Sequence, residues 1–242
     1  MIADFESFKV ALNLSKVEIC RTLYRQNAGR IRIKKEQVAV PNLMRIIEST
    51  LRLTRAKGFH AMSLRDLSAD TGMSIGGLYA YICGKDDLVH LIQLHGVLLT
   101  RRVLHDYTHN VEDSWARLHA AVRAHVYLSE LMQPWFYFSF MEARNLPTRH
   151  KQEAIAIERE VQDIICEIIE HGIARKAFRQ VDTRLLASLC KAMMQDWYLK
   201  RRKYRDEHVS PTAYADFVCS VLDCYLVSPD SVGRGNPPDS TR

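Results

Sequence analysis

The chain has 242 residues, 47% hydrophobic and 26% charged, with a net charge of +6. That is enough apolar material for a sizeable core in one or two domains, and the balance is that of a globular protein rather than a disordered or fibrous one. No run of 18 apolar residues predicts a membrane span, the opening MIADFESFK reads as no secretory signal, and the six cysteines lack a CxxC pair, so reduced thiols in a cytoplasmic protein are expected.

Taken in chain order, nearly every segment carries helical periodicity. Residues 4–26 place Phe5, Phe8, Leu12, Ile19 and Leu23 at helical spacing, a face that packs on a neighbouring domain or on a partner subunit. Residues 30–40 are the one stretch with a strand signal, Ile31, Ile33 and Val38 breaking up charges. Within it Arg30, Arg32, Lys34 and Lys35 read either as an arm for a minor groove or as a mobile basic linker. Further helices are predicted over 42–57, 64–70, 74–82, 85–107, 113–132, 135–145, 149–174, 183–205 and 212–227. Gly58, Gly84, Pro134, Pro147, Gly172 and Pro211 act as stops. The tail after Pro229 is rich in Pro, Gly, Ser and Asp, which predicts disorder. The expected fold class is all-α: a basic, partly helical extension (1–40), a short N-terminal domain of three helices (41–88), a C-terminal helical bundle (89–228) and the tail (229–242).

The stretch from Ser63 to Leu88, SLRDLSADTGMSIGGLYAYICGKDDL, is the most specific in the chain. Ser63 with Asp66 three residues on predicts a capping box. Leu64 and Leu67 share a face, Gly72 suits a turn with positive φ, Met73 plugs that turn, and Ser74 caps a second short helix whose inward residues are Leu78 and Ile82. A supporting helix, a tight turn and a recognition helix make up a DNA-binding helix-turn-helix. Charge agrees with this. Between Arg21 and Lys57 stand ten basic residues against the two acids Glu36 and Glu48. A solvated basic face is the bland reading of such a window, but beside this motif it reads as the footprint of a polyanion.

The run Gly72, Met73, Ser74, Gly76, Leu78, Tyr79, Tyr81, Ile82, Lys85 and Leu88, preceded by Gly58, Phe59 and Ser63, resembles the N-terminal domain of the TetR family of bacterial transcriptional repressors. About 50 residues match in order and spacing. Ser68 and Thr71 stand where the family often has Ala, Ile82 where it often has Phe, and an extension of roughly 40 residues precedes the first family helix. The candidate DNA-binding residues are Ser63, Arg65, Ser74, Ile75, Gly76, Gly77, Tyr79, Tyr81 and Lys85. Arg65 reaches a phosphate or a base edge, and Ile75 touches a thymine methyl. Gly76 and Gly77 let the backbone approach the duplex, at a helix-propensity cost of about 1 kcal/mol each. The resemblance implies that the Tyr79 and Tyr81 hydroxyls reach phosphates; Tyr81 also reads as a core ring. Lys85, at a helix N-terminus, suits a phosphate.

In the C-terminal half, Trp135, Phe136, Tyr137, Phe138 and Phe140 form a dense aromatic run. The candidate ligand site is Trp115, Tyr127, Trp135, Phe138, Met141, Arg144, Met194 and Trp197, an apolar pocket; ordinary core is the alternative for each ring. The run FMEARNLP resembles a segment of family members that sense acyl-CoA, with Arg144 facing an anionic group or pairing with Glu142 or Asp196. The resemblance also implies a homodimer paired through residues 183–205 and 212–227, with Leu185, Leu186, Leu189, Ala192, Met193, Phe217, Val221, Leu222 and Tyr225 as interface candidates. His105 with His109, and His119 with His125, lack a third ligand, so no metal is expected. No Ser-His-Asp elbow, P-loop or GxGxxG is present, so neither enzyme chemistry nor a cofactor is expected. The expected function is a cytoplasmic homodimeric repressor that binds double-stranded operator DNA and releases it when a small hydrophobic effector, acyl-CoA-like in kind, fills the bundle. The rival reading is a helical small-molecule-binding protein with a non-functional helix-turn-helix.

Overall fold

In the computed structural model residues 5–142 and 148–227 are described, the side chains of 13–15, 142 and 148–158 excepted. They form helices α1 (Phe5–Gln26), α2 (Glu36–Lys57), α3 (Leu64–Thr71), α4 (Ile75–Leu78), α5 (Lys85–Thr108), α6 (Ser114–Leu131), α7 (Gln133–Glu142), α8 (Thr148–Ala174), α9 (Thr183–Leu199), α10 (Arg201–Asp206) and α11 (Pro211–Leu226), with no strand among the described residues. The all-α class is as expected. Arg144 and the tail after Pro229 lie outside the described residues, as does the predicted end of the 135–145 helix.

Side-chain caps set many of the starts. Asp113, Asp182 and Ser210 accept from the backbone N–H three residues on, at 2.7, 2.9 and 3.1 Å. Pro211 follows Ser210 at the first helical position, where its missing N–H costs nothing. The centre of the bundle is α6, which packs against α5, α8, α9 and α11. Leu118, Ala121, Val122, Ala124, Val126 and Leu128 are all buried, so this helix is covered on nearly every side.

Three elements differ from expectation. First, α2 begins at Glu36, so residues 36–40 are helical and Pro41 lies in the second turn. The early start is held by Glu36, which pairs with Arg21 and Arg25 of α1. The carbonyl that Pro41 leaves without a helical donor is that of exposed Gln37, near the start of the helix. Second, residues 27–35 are neither strand nor free arm. The Tyr24 hydroxyl lies 3.0 and 2.9 Å from the Ile33 and Lys34 carbonyls, Lys34 Nζ donates to the Ala28 and Ile31 carbonyls, and Ile31 is buried. The Arg32 N–H donates to the Ala80 carbonyl at 2.8 Å, which docks this connector beside the helix-turn-helix. Third, the helix expected over 183–205 breaks at Lys200 into α9 and α10. The turn lets Tyr204 stack on Trp197, 5.4 Å between centroids, and bond to Asp196, while Arg201 pairs with Glu130 of α6.

The extra helix α1 is part of the fold. It packs on α2, α5 and α6, and its Phe8 ring, 2% exposed, stands 5.3 Å from Tyr107 and 5.7 Å from Tyr127.

Candidate DNA interface and ligand site

The capping box forms as the spacing predicts. The Asp66 N–H donates to Ser63 Oγ at 3.1 Å and the Ser63 N–H to Asp66 Oδ2 at 2.8 Å. Hydrogen bonds from Lys57 and then from Ser63 hold the Asp66 carboxyl well below the usual carboxylate range. Gly72 ends α3 with φ 68°, a left-handed turn that favours glycine. Ser74 then caps α4, accepting from the Gly77 N–H at 3.0 Å. Only Ile75–Leu78 is α-helical; looser turns, Ala80 N–H to the Gly77 carbonyl and Tyr81 N–H to the Leu78 carbonyl, carry the chain on to Ile82. The recognition element is therefore shorter than the 74–82 helix expected, which two glycines near its start explain.

Its two sides are chemically distinct. Leu67, Leu78 and Ile82 are buried, whereas Ser63, Arg65, Ser74, Ile75, Gly76 and Tyr79 are exposed and Gly77 is half-buried. Two of the candidate contacts turn inward in the free protein, Tyr81 in line with its alternative reading as a core ring. Tyr81 is 4% exposed and its hydroxyl accepts from Asn42 Nδ2 at 2.9 Å, so the ring ties α2 to the recognition turn instead of reaching outward. Lys85 turns inward as well: its ammonium donates to the Phe59 and His60 carbonyls at 2.7 and 3.1 Å and sits 4.6 Å above the Phe59 ring. It closes the turn between α2 and α3.

The basic window also sorts itself. Arg21, Arg25, Arg52 and Lys57 have acidic partners in Glu18, Glu36, Asp70 and Asp66. Arg30, Arg32, Lys35 and Arg65 are exposed with no acidic partner among the described residues. Arg45 was counted in the sequence only as charge. It is exposed and its guanidinium reaches the Thr71 carbonyl at 3.4 Å, at the helix-turn-helix corner. The Arg45 position on α2 opposite α3 is a tertiary fact, with no signal in local spacing.

The candidate ligand residues divide among several contacts. Trp115 packs on Phe178 (4.6 Å between centroids), and Tyr127 packs on Phe5 and Phe8 with its hydroxyl 2.9 Å from Thr212 Oγ1. Phe138 meets Phe59 edge-on at 5.3 Å, which joins α7 to the DNA-binding domain. Trp197 stacks with Tyr204 and Tyr214, and Met194 is fully buried. Met141 is 46% exposed. Trp135 donates its indole N–H to the Ile92 carbonyl at 2.7 Å and lines a cavity of about 350 Å³ bounded by α1, α2, α5, the end of α6 and α7. Several of these rings thus have aromatic partners of their own. Of the histidines, His105 stacks on His109 at 4.6 Å, His119 Nε2 meets Asp223 at 2.6 Å, and burial, with the Lys191 charge, pushes His125 down to about 3. No group of three metal-ligating residues is found among the described residues, and no described helix is long and apolar enough to cross a membrane.

On α9 and α11, Leu185, Leu189, Phe217, Val221 and Tyr225 are between 39% and 68% exposed, and Leu186 and Leu222 are buried beneath them. A groove of about 640 Å³ runs between these helices.

Residues 46–92 match the bacterial regulatory proteins of the tetR family, and residues 111–219 match the tetracyclin repressor-like C-terminal domain, together more than half of the chain. No curated protein matches the sequence. The fold is similar to that of a tetR-family bacterial regulatory protein from Rhodococcus RHA1, at 22% identity and a TM-score of 0.69, covering 77% of this chain and 98% of that one. It is also similar to AibR in complex with isovaleryl coenzyme A and operator DNA (20% identity, TM-score 0.65, 74% and 97% covered). A third likeness is to the fatty acid degradation regulator FadR from Bacillus halodurans (19% identity, TM-score 0.64, 75% and 94% covered). With both of its parts matched and a capped helix-turn-helix in place, the chain belongs to the TetR family and is a transcriptional regulator with a helix-turn-helix DNA-binding domain and a ligand-binding C-terminal domain.

Proposed function

We propose that the protein is a homodimeric repressor that holds operator DNA when free and releases it when a small hydrophobic ligand binds. The observation that carries the DNA-binding half is the outward face of the recognition turn. Ser74, Ile75, Gly76 and Tyr79 are exposed, as is Arg65, which has no acidic partner among the described residues, while Leu67, Leu78 and Ile82 behind the turn are buried. Ser63, which caps α3, is exposed as well. The dimer reading rests on the α9–α11 face, where five large hydrophobic side chains stand in solvent over a groove that a second copy fills. An acyl ligand is supported by two of the similar folds: AibR is in complex with isovaleryl coenzyme A, and FadR is a fatty acid degradation regulator.

The test is selection of DNA from a random pool by the purified protein. The expected product is a pseudo-palindrome with half-sites about 10 base pairs apart, bound with a steep salt dependence. Acyl-CoAs, free fatty acids and hydrophilic metabolites are then screened for release. The rival reading, a ligand-binding protein whose helix-turn-helix has lost DNA, is favoured by the inward turns of Tyr81 and Lys85. Binding that shows neither sequence selection nor salt dependence decides for it.

A further inference from the structure

The cavity of about 350 Å³ lies where three parts of the molecule meet: the extra helix α1, the first helix of the DNA-binding domain, and the α5–α7 corner of the bundle. Its size is at the low end for ligand pockets, about 300–1,000 Å³, so an occupant is small. Its wall is apolar: Met44, Ile47 and Leu51 from α2 face Leu131, Met132 and Trp135. The titratable groups around it are Lys16 and Cys20 of α1, Glu48, Arg52 and Arg55 of α2, and His95 of α5. Arg52 is already bound to Asp70 and Ser49. Lys16 and Arg55 have no acidic partner among the described residues, and exposed Glu48 is the one carboxylate at the same rim. Burial keeps Cys20 a thiol, pushed up to about 12. His95 is 5% exposed, and its Nδ1 has no hydrogen-bond partner among the described residues. Burial, aided by the Lys16 charge, pushes this imidazole down to about 4, so it is neutral.

We propose that this cavity binds a small aliphatic monocarboxylic acid, its tail on the Met44–Leu51–Trp135 wall and its carboxylate on Lys16 and Arg55, and that this acid is the effector. Two unpaired cations attract an anion, and the single Glu48 charge beside them disfavours a dianion. Neutral, buried His95 in the same lining adds no charge of its own to compete with the two cations. The occupant touches α2 on one side and α7 on the other, so its presence changes how the DNA-binding domain sits on the bundle. A ligand with different affinities for the two arrangements shifts the equilibrium between them.

This inference rests on the reading of the protein as a ligand-controlled DNA binder, and one set of measurements separates the two. Octanoate, octanol and octylamine are titrated calorimetrically into the full-length protein, and each is tested for operator release. Octanoate is expected to bind saturably and release DNA, with octanol weaker by about tenfold or more, the worth of one charge-assisted hydrogen bond, and octylamine inert. Lys16→Gln leaves DNA binding intact without ligand and weakens octanoate by a similar factor without changing octanol. Leu131→Trp fills the cavity and abolishes binding of both; if that variant fails to fold, Lys16→Gln still decides. Equal binding of all three heads, or octanoate binding indifferent to Lys16→Gln, overturns the proposal, as does octanoyl-CoA binding more tightly than octanoate in a Lys16-dependent way. Failure to hold any operator in the absence of ligand overturns the underlying reading instead.

Discussion

The recognition turn and the α5–α7 corner both depend on a glycine, for opposite reasons. A Cβ added at Gly76 meets nothing within 4 Å, because the residue faces solvent. A Cβ added at Gly96 falls 1.7 Å from Trp135 Cε2. There the missing side chain is the space into which an indole packs, its N–H tied to the Ile92 carbonyl. At the DNA end, smallness serves a partner outside the chain; in the bundle, it serves a partner inside it. The structure alone explains Gly96, whereas Gly76 is helix-weakening with no internal return.

The largest effect that tests this contrast is Gly76→Leu. The side chain has room in the free protein, so melting temperature is expected to hold or to rise with improved helix propensity. Operator affinity is expected to fall to the non-specific level, a loss of about a thousandfold or more. Fluorescence anisotropy with operator DNA measures it. Normal affinity breaks the assignment of α4 as the recognition element.

Gly96→Ala is the mirror experiment. Overpacking against Trp135 is expected to cost about 1–3 kcal/mol or more, since neither the ring nor α5 has space to yield. At about 2–4 °C per kcal/mol, thermal unfolding reads this directly. The selected DNA sequence should stay the same. A silent Gly96→Ala would mean that Trp135 leaves its site readily, which also weakens the cavity described above.

Buried histidines set a third, pH-dependent difference between folded and unfolded chains. His95 and His125 are held neutral in the fold, down to about 4 and about 3, against an ordinary value of 6.5. The unfolded chain therefore takes up protons first as pH falls below 6.5. Stability from these groups is fully present above that value and is lost as pH drops toward the folded values. Urea midpoints at pH 7.5, 6 and 5 are expected to decrease in that order, and His125→Gln should flatten the decline. An unchanged slope in that variant would place the pH dependence elsewhere.

What was legible in the sequence follows from the range of the interactions. The Ser63–Asp66 box, the Gly72 turn and the Ser74 cap are contacts over two or three residues, so spacing alone revealed them. The inward bonds of Tyr81 and Lys85 are not legible in local spacing because their partners, Asn42 and the Phe59 and His60 carbonyls, lie 39, 26 and 25 residues away. The start of α2 was misplaced because Pro41 looks like a helix boundary, while the pairing that overrides it comes from Arg21 and Arg25 on another helix. The aromatic residues of the bundle were rightly seen as apolar, but which ring each one faces is decided by helix packing. The apolar face of α1 was visible as a pattern, and that it covers Tyr107 and Tyr127 was not.

The smallest predicted effect separates a clamp from a contact. At the mouth of α5, Lys85 has the position of a phosphate ligand and the bonds of a structural cation. An ammonium has three protons, and two of them already lie on the Phe59 and His60 carbonyls. Lys85→Ala should therefore leave those two carbonyls short of a donor and loosen the turn between α2 and α3, costing about 1–2 kcal/mol in the stability of the DNA-binding domain. The salt dependence of operator binding should be nearly unchanged, because no counterion is released by a cation already spent inside the fold. Arg65→Ala supplies the reference: exposed and without an acidic partner, it should lower the slope of log affinity against log salt by about one unit and leave stability alone. If Lys85→Ala instead lowers the slope by that amount with no loss of stability, the ammonium leaves its carbonyls on binding, and the DNA end is less pre-built than its free geometry implies.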